Sequence, residues 1–192
     1  MKRNVDTAIE VYVCEKLFGK FLAPEDIREN IKNISPAQLA VKVANAMVGI
    51  HEDTENNCGV LVESIQRTVG KAEKEAWCMS LQQTIEAIVE KWKGVKSSLP
   101  VGEHCLTVYG LSKKIVSEPK LNDIAIWRKA KTTEGHTGRV VVEGDSTFTS
   151  LEGNTGDGTG INREGDGVYL KHRDVKGSGK LALIGFIRVE YV

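Results

Sequence analysis

The sequence predicts an α+β protein in which helices come first and an antiparallel sheet of about five strands follows. Apolar residues recur at helical spacing in the first half of the chain, and most of the 19 glycines lie beyond residue 100. Short β-branched runs alternate with turn signals in that second part. Helices followed by a run of strands is a typical α+β order. At 192 residues the chain is long enough for one domain with a helical appendage or for one large domain.

Helix-start signals mark the N-terminal part. Residues 24–26, Pro-Glu-Asp, have the composition of a first helical turn, and residues 35–38, Ser-Pro-Ala-Gln, offer an N-cap, a proline at N1 and a capping-box glutamine. Residues 39–50 and 60–69 then show helical spacing. We divide the chain into a helical extension, residues 1–35, and a main domain, residues 36–192. The extension is expected to pack as a cap on the main domain, with a docking or oligomerisation segment as the alternative.

A central helix is predicted over residues 77–92. Its apolar positions fall on one stripe, and Gly94 is placed to end it. Five strands are predicted after it, with hairpin turns at 144–145 and 177–179 and a long glycine-rich loop over 153–167. The predicted strands are 123–127, 138–143, 147–151, 167–171 and 181–189. The central helix is expected to pack on this sheet.

Charge balance and hydropathy together argue against a nucleic-acid partner, a signal peptide and a membrane span. Lysine and arginine number 26, as do aspartate and glutamate, so nothing favours a polyanion, and we expect no nucleic-acid partner. Acidic residues interrupt the N-terminal segment before an apolar signal region can form, and no apolar run reaches membrane-spanning length. We expect a monomer made in the cytoplasm without a signal peptide and without membrane insertion.

Cys78 is the cysteine whose position indicates reactivity. The four cysteines, at 14, 58, 78 and 105, form no CxxC pair and have no zinc-ligand spacing, so reduced core residues are the ordinary interpretation. Cys78, however, lies at the predicted first turn of the central helix, where unpaired N–H groups and the helix dipole favour a thiolate. The alternative is a small buried residue beside Trp77.

His136 is the candidate base. It precedes a predicted strand, and the next strand ends at Glu152-Gly153-Asn154. If these strands pair about the turn at 144–145, His136 faces Gly153, and cross-strand neighbours are only about 5 Å apart. Glu152 and Asn154 would then flank the imidazole and supply the third group that orients a histidine base. A surface histidine with a polar hairpin neighbour is the alternative.

These segments together resemble the CHAP branch of the NlpC/P60 superfamily, whose fold is papain-like. The resemblance is carried by Cys78 after an aromatic residue, by the strand at 121–127, by Gly-His-Thr-Gly at 135–138 and by Glu-Gly-Asn at 152–154. Segments 49–52, 56–59 and 70–78 resemble the lead-in of phage-encoded members, and 153–156 and 163–169 resemble their tail. The resemblance covers residues 36–192. Asn122 stands where the family typically has glycine.

The resemblance implies a cysteine hydrolase that cleaves amide bonds in bacterial peptidoglycan, as an endopeptidase or an N-acetylmuramoyl-L-alanine amidase. It implies that Cys78 is the nucleophile, that His136 is the general base and then the acid, and that Glu152 with Asn154 orients the ring, with the division between these two left open. No metal or cofactor is implied. A phage lysin, a virion-associated lysin and an antibacterial toxin all fit, with delivery by a holin, a virion or a secretion apparatus to the periplasm or cell wall.

Substrate contacts are predicted less specifically. Loop 153–167, segment 95–121 and the aromatic residues Trp77, Trp127 and Tyr169 are candidates to line the cleft, with core packing as the alternative for each aromatic residue. The acidic glycine-rich loop lacks the ligand spacing of a calcium site, and no helix with a lysine follows it as in a phosphate loop. Two other hypotheses stay open. One is a hydrolase of the same fold with a non-wall amide substrate, and the other is a catalytically silent wall-binding or virion structural module.

Overall fold

Six helices and six strands make up the described part of the chain. The computed structural model describes residues 2–53, 56–71, 74–130, 132–158, 165–177 and 181–192. The helices are α1 (Thr7–Phe18), α2 (Pro24–Ile31), α3 (Pro36–Ala46), α4 (Val60–Arg67), α5 (Cys78–Lys93) and α6 (Cys105–Leu111). The strands are β1 (Ile115–Val116), β2 (Ile124–Lys129), β3 (Gly135–Val142), β4 (Thr147–Thr155), β5 (Gly167–Asp174) and β6 (Leu181–Ile187). The α+β class is therefore confirmed.

Local signals explain the helix ends. Ser35 and Gln38 form the capping box predicted for the start of α3, since each side chain bonds to the other residue's backbone N–H. The central helix α5 ends as predicted at Gly94, whose left-handed backbone lets its N–H bond to the carbonyl oxygen of Glu90. At its other end α5 begins with Cys78, and Trp77 is an N-cap without a side-chain capping bond. The N-cap residue therefore leaves the first turn of α5 uncapped by its own side chain.

The strands form one antiparallel sheet in the order β1-β6-β2-β3-β4-β5. Its sixth strand, the two-residue β1, was not predicted. β3 begins at Gly135 and β4 continues to Thr155, so His136, Glu152 and Asn154 lie inside strands instead of just outside them. The backbones of the candidate residues are consequently part of the sheet.

Two of the predicted connections between strands are only partly covered. The predicted loop over 153–167 was wrong at its start, because the chain remains in β4 as far as Thr155. Residues 159–164 of that loop lie outside the described residues, as do residues 178–179 of the turn predicted at 177–179. The site is therefore built from the strands on either side of these connections.

The predicted register between β3 and β4 was wrong by one residue. Arg139 pairs with Leu151 and Val140 with Ser150, whereas pairing about a two-residue turn at 144–145 gives a different alignment. Next to the turn the offset is two residues, since Val142 pairs with Thr149 where the predicted alignment pairs it with residue 147. The irregularity between Val140 and Val142 then reduces the offset to one residue, because a bulge in one strand shifts all later pairs. Continued along the strands, the observed register aligns His136 with Asn154, not with Gly153.

The main core lies between α5 and the helices before it. Nearly all of α5 is buried, and apolar residues from α1, α2 and α3 belong to the same cluster as its apolar face. Residues of the N-terminal extension therefore share the core of the main domain. A second cluster lies around α6 and β2, and a third contains Trp127, Phe148 and Phe186. In the described ranges, no helix is long and apolar enough to cross a lipid bilayer.

A buried ion pair ties α5 to the sheet. Arg139 of β3 donates to Oε1 of Glu86 at 2.7 Å, and both side chains are fully buried. The same guanidinium bonds to Gln82 and Asn122, and the Tyr191 hydroxyl reaches Glu86 at 3.2 Å. The pair fixes the position of α5 along β3, which matters because the candidate nucleophile begins that helix.

Candidate active site

Cys78 is the first residue of α5 and is 8% exposed. The predicted position at a helix start is therefore confirmed, and the residue is buried. Backbone N–H groups in a first helical turn have no partners within the helix, and the dipole places partial positive charge there. This environment favours a thiolate.

Trp77 is anchored by a segment far earlier in the chain. Its indole is fully buried, and Nε1 donates to Oε1 of Glu52 at 3.2 Å. Glu52 is itself fixed, because its other carboxylate oxygen accepts from the Asn57 N–H at 2.9 Å and its own N–H donates to the Asp166 carbonyl at 2.8 Å. The residue before Cys78 is thus held by the lead-in segment.

Close packing of β4 against α5 explains the glycine at the centre of Glu152-Gly153-Asn154. A Cβ atom at this position would lie 2.6 Å from Cδ2 of Leu81 and 2.7 Å from Cζ3 of Trp77. Real Cβ contacts do not come so close, so a glycine is needed for β4 to approach the first turn of α5 at this point. The flanking residues Glu152 and Asn154 are thereby brought near the helix start.

His136 is bonded to Glu152 at one ring nitrogen. Nε2 lies 3.0 Å from Oε2 of Glu152, and both side chains are fully buried. Among the described residues, Nδ1 has no hydrogen bond of ordinary geometry, although the Cys78 sulfur is close enough to act on the ring. Such nucleophile–base contacts are often long until substrate binds. With Nε2 occupied, Nδ1 is the nitrogen available to Cys78.

The charge state of His136 reflects both neighbours. Burial alone would lower its pKa, but hydrogen bonding and negative charge from Cys78 and from Glu152 outweigh burial and raise the pKa from 6.5 to about 9. The imidazolium is thus favoured at neutral pH. By reciprocity its charge favours the thiolate at Cys78.

Glu152 is held by two further side chains besides His136. Arg173 donates through Nε to Oε1 at 2.7 Å and through Nη2 to Oε2 at 2.6 Å, and the Ser150 hydroxyl donates to Oε1 at 2.5 Å. Burial would raise the pKa of this carboxyl, but Arg173 and His136 together lower it from 4.5 to about 2. Glu152 is therefore ionised throughout the physiological range.

Arg173 was not predicted as part of the site. It lies in β5 beyond the predicted end of that strand, opposite Phe148. The chain between β4 and β5 is long, so no turn signal reveals their register. The available signal was alternation, since Tyr169, Lys171 and Arg173 occur at every second position and share one face of a strand.

Asn154 lies on the same strand as Glu152 but has an unusual backbone. Its φ is 56°, in the left-handed region that asparagine tolerates better than most residues. The β4–β5 register shifts between Glu152 and Thr155, so this conformation coincides with the irregularity. Glu152 is the residue that contacts Nε2 of His136. A catalytic role for Asn154 stays a prediction.

The three aromatic residues predicted to bind substrate lie in different surroundings. Trp77 and Trp127 are buried, so their indoles support site residues in this structure. Trp127 pairs with His136 across β2 and β3, with the ring centroids 5.9 Å apart. Tyr169 is partly exposed and lies opposite Glu152, and its hydroxyl donates to Oδ1 of Asp166 at 2.9 Å. Substrate contact through these three residues stays a prediction.

Metal ligation and known relatives give no further indication. Within the described ranges, no group of three or more histidine, cysteine, aspartate or glutamate residues is arranged to hold a metal ion. All four cysteines lie in the described ranges and none of them forms a disulfide; Cys58 is partly exposed, and Cys14 and Cys105 are buried.

The chain matches no protein-family model, no curated protein and no solved structure.

Proposed function

We propose that this protein is a cysteine hydrolase that cleaves amide bonds by acyl transfer. The observation that carries the proposal is the position of His136, which lies between a carboxylate at Nε2 and the sulfur of a helix-start cysteine. Thiol-dependent acyl transfer requires a nucleophile, a base and a group that orients the base. Cys78, His136 and Glu152 take these roles.

A papain-like fold of the CHAP type is part of this proposal. It is supported by the order of the elements, since the helix that begins with Cys78 comes before the antiparallel strands that carry His136 and Glu152. In such an arrangement the nucleophile and its base come from different layers of the domain. Substrate can then enter along the line where the helix start meets the sheet.

The reaction follows from the charges. The Cys78 thiolate attacks the amide carbonyl carbon and a C–S bond forms, while the carbonyl oxygen takes the negative charge. The backbone N–H of Cys78 at the start of α5 is the natural first donor to that oxyanion. The His136 imidazolium then protonates the leaving nitrogen and the C–N bond breaks. Neutral His136 next takes a proton from water, hydroxide attacks the thioester, and the C–S bond breaks to restore the thiolate.

Bacterial peptidoglycan is the proposed substrate. Support comes from the resemblance of the Cys78, His136 and Glu152-Gly153-Asn154 segments to CHAP hydrolases. Tyr169 is a candidate to contact a stem peptide, since it is partly exposed and directly opposite Glu152 in the sheet. Either the bond between muramic acid and L-alanine or a bond within the peptide and its cross-bridge would be cut. Delivery to the wall by a holin, a virion or a secretion apparatus is compatible with either bond.

Digestion of purified peptidoglycan tests this proposal directly. The native protein should release soluble fragments, and their masses and new amino termini identify the bond. Cys78→Ala should abolish release, by at least about 10³-fold, because the nucleophile is lost. Cys58→Ala is the matched control and should keep full activity, since Cys58 is a partly exposed thiol in the loop before α4. Wall binding without product from the native protein would show a silent binding module instead.

A further inference from the structure

The Arg173 side chain contacts both Glu152 and Trp127 next to the proposed site. Its guanidinium bonds to both carboxylate oxygens of Glu152, at 2.7 and 2.6 Å, and is 5.8 Å from the centre of the Trp127 ring. Trp127 in turn lies against His136, which bonds to Glu152. The four side chains therefore form a closed ring of contacts. All four are nearly or fully buried, so each restricts the orientation of the next.

The charges in this cluster balance only when Arg173 is counted. In the reactive state Cys78 and Glu152 are anions, and His136 and Arg173 are cations. Without Arg173, two buried anions would share the single imidazolium. An unpaired buried charge is costly, and the cheapest relief is for one anion to take a proton. That anion is the Cys78 thiolate, because Glu152 also keeps its bonds from His136 and Ser150.

We propose that Arg173 is a positioning residue that neutralises Glu152, so that the charge of the His136 imidazolium remains available to the Cys78 thiolate. This inference rests on the proposed function only in assigning Cys78 a reactive role. The bidentate geometry also fixes the plane of the Glu152 carboxylate, and with it the direction in which the imidazole points its second nitrogen.

The other charged groups near Arg173 are left unsubstituted in every variant of the test. Burial and the charge of Arg173 lower the pKa of Lys171, which lies two residues earlier in β5, while Glu152, Asp157 and Asp166 act in the opposite direction. Its ammonium group donates to the backbone carbonyls of the glycines at 156 and 158. The hydroxyl of Tyr169, which lies opposite Glu152, donates to Asp166. These groups form a common background for every variant.

The test measures the rate of Cys78 alkylation by iodoacetamide as a function of pH, with the modified peptide identified by mass. Cys58, which is partly exposed, is the internal reference in every sample. The variants are R173Q, R173K, E152Q and the double variant R173Q/E152Q, each checked for folding by circular dichroism. The measured quantity is the pH of the acid limb, where the rate reaches half of its plateau.

In R173Q the acid limb should move up by about one pH unit or more, which makes alkylation about tenfold slower at a fixed pH below the limb. R173K keeps the positive charge, so its acid limb should stay close to that of the native protein. The double variant should return towards the native limb, because it removes one anion and one cation together. Damage to the structure alone would not be repaired by a second substitution.

Two results would overturn the inference: a folded R173Q with an unchanged limb, or a double variant shifted as far as R173Q. If R173Q does not fold, the pair E152Q and R173Q/E152Q decides the question. The acid limb should lie at lower pH in E152Q, which retains Arg173, than in R173Q/E152Q. Equal limbs in these two variants would refute the role of the Arg173 charge. Alkylation needs no substrate, so a failure to digest peptidoglycan would refute the proposed function and leave this result standing.

Discussion

His136 and Glu152 meet through a 3.0 Å contact between Nε2 and Oε2, with both side chains fully buried. Burial by itself favours the neutral form of each group. Here each group is charged because the partner, together with Arg173 and Cys78, supplies the opposite charge. Such a pair makes folding depend on pH in a direction that can be derived for each member.

The free energy of unfolding should be highest between about pH 4.5 and 6.5 and should fall on both sides. The pKa of His136 is raised from 6.5 to about 9, so its contribution is complete below pH 6.5 and is lost as the pH rises through 9. The pKa of Glu152 is lowered from 4.5 to about 2, so its contribution is complete above pH 4.5 and is lost as the pH falls through 2.

Thermal unfolding of the native protein and of E152Q across this pH range checks the prediction. E152Q removes the carboxylate and its effect on His136, so both limbs of the stability curve should become flatter. Glu29→Gln is the control, because Glu29 is exposed and pairs with the exposed Lys32. Identical curves for the native protein and E152Q would contradict the coupling.

Gly153→Ala should cost both stability and activity. The new methyl group would lie 2.6 Å from Cδ2 of Leu81 and 2.7 Å from Cζ3 of the buried Trp77 ring. The leucine side chain can rotate, but we expect the rigid indole to push β4 away from the start of α5. Overpacking of this kind typically costs about 1–3 kcal/mol. Since the movement separates Glu152 from Cys78, we expect hydrolysis to fall more than about tenfold even at temperatures where the variant stays folded.

Gly110→Ala is the matched control for that substitution. A Cβ at Gly110 would meet nothing within 4 Å, and the residue lies within α6, where alanine is favourable. Urea unfolding and peptidoglycan digestion should therefore be unchanged or slightly better for this variant. Full activity in Gly153→Ala would show that the glycine does not set the approach of β4.

Arg139→Met should destabilise the fold by about 3–5 kcal/mol, because it leaves the Glu86 carboxylate buried without its cation. Lys114→Ala, which breaks the surface ion pair with Glu190, should cost at most about 1 kcal/mol. Denaturant midpoints for the two variants give the comparison. A cost for Arg139→Met as small as that of the surface variant would mean that the buried pair does not hold α5 on β3.

Strong local patterns predicted much of the fold. The capping box of Ser35 and Gln38, the helix end at Gly94 and the apolar stripe of α5 each depend on neighbours within a few residues, and all three are present. The short strand β1 and the seven-residue helix α6 were missed, because elements of that length show little periodicity. Their positions depend instead on long-range packing against β6 and β2.

The candidate site divides in the same way. Helix-start and hairpin signals, together with the family resemblance, made Cys78, His136, Glu152 and Asn154 candidates. The structure places His136 in contact with Glu152 and close to Cys78. The sequence could not predict the β3–β4 register, since neither the pairing next to the turn nor the bulge within a run of valines has a reliable signature. Alternation could have placed Arg173 on one face of β5, but its contact with Glu152 depends on the β4–β5 register, which no short turn fixes.

The contact between Glu52 and Trp77 should be needed for a reactive Cys78. Glu52→Ala removes the acceptor of the buried Trp77 indole N–H and of the Asn57 backbone N–H, and leaving a buried donor without its partner costs about 1–3 kcal/mol. Because Trp77 immediately precedes Cys78, the start of α5 should loosen, and both hydrolysis and the alkylation rate of Cys78 at neutral pH should fall at least about tenfold.

Glu52→Gln separates hydrogen bonding from charge at this position. The amide keeps one acceptor oxygen, so it should retain the bond from Trp77 and lose the one from Asn57, which places its activity between those of the native protein and Glu52→Ala. Glu29→Ala, which changes an exposed glutamate outside the site, should leave both rates unchanged. If Glu52→Ala hydrolysed peptidoglycan at the native rate while folded, the anchoring of Trp77 would have no part in setting the position of Cys78.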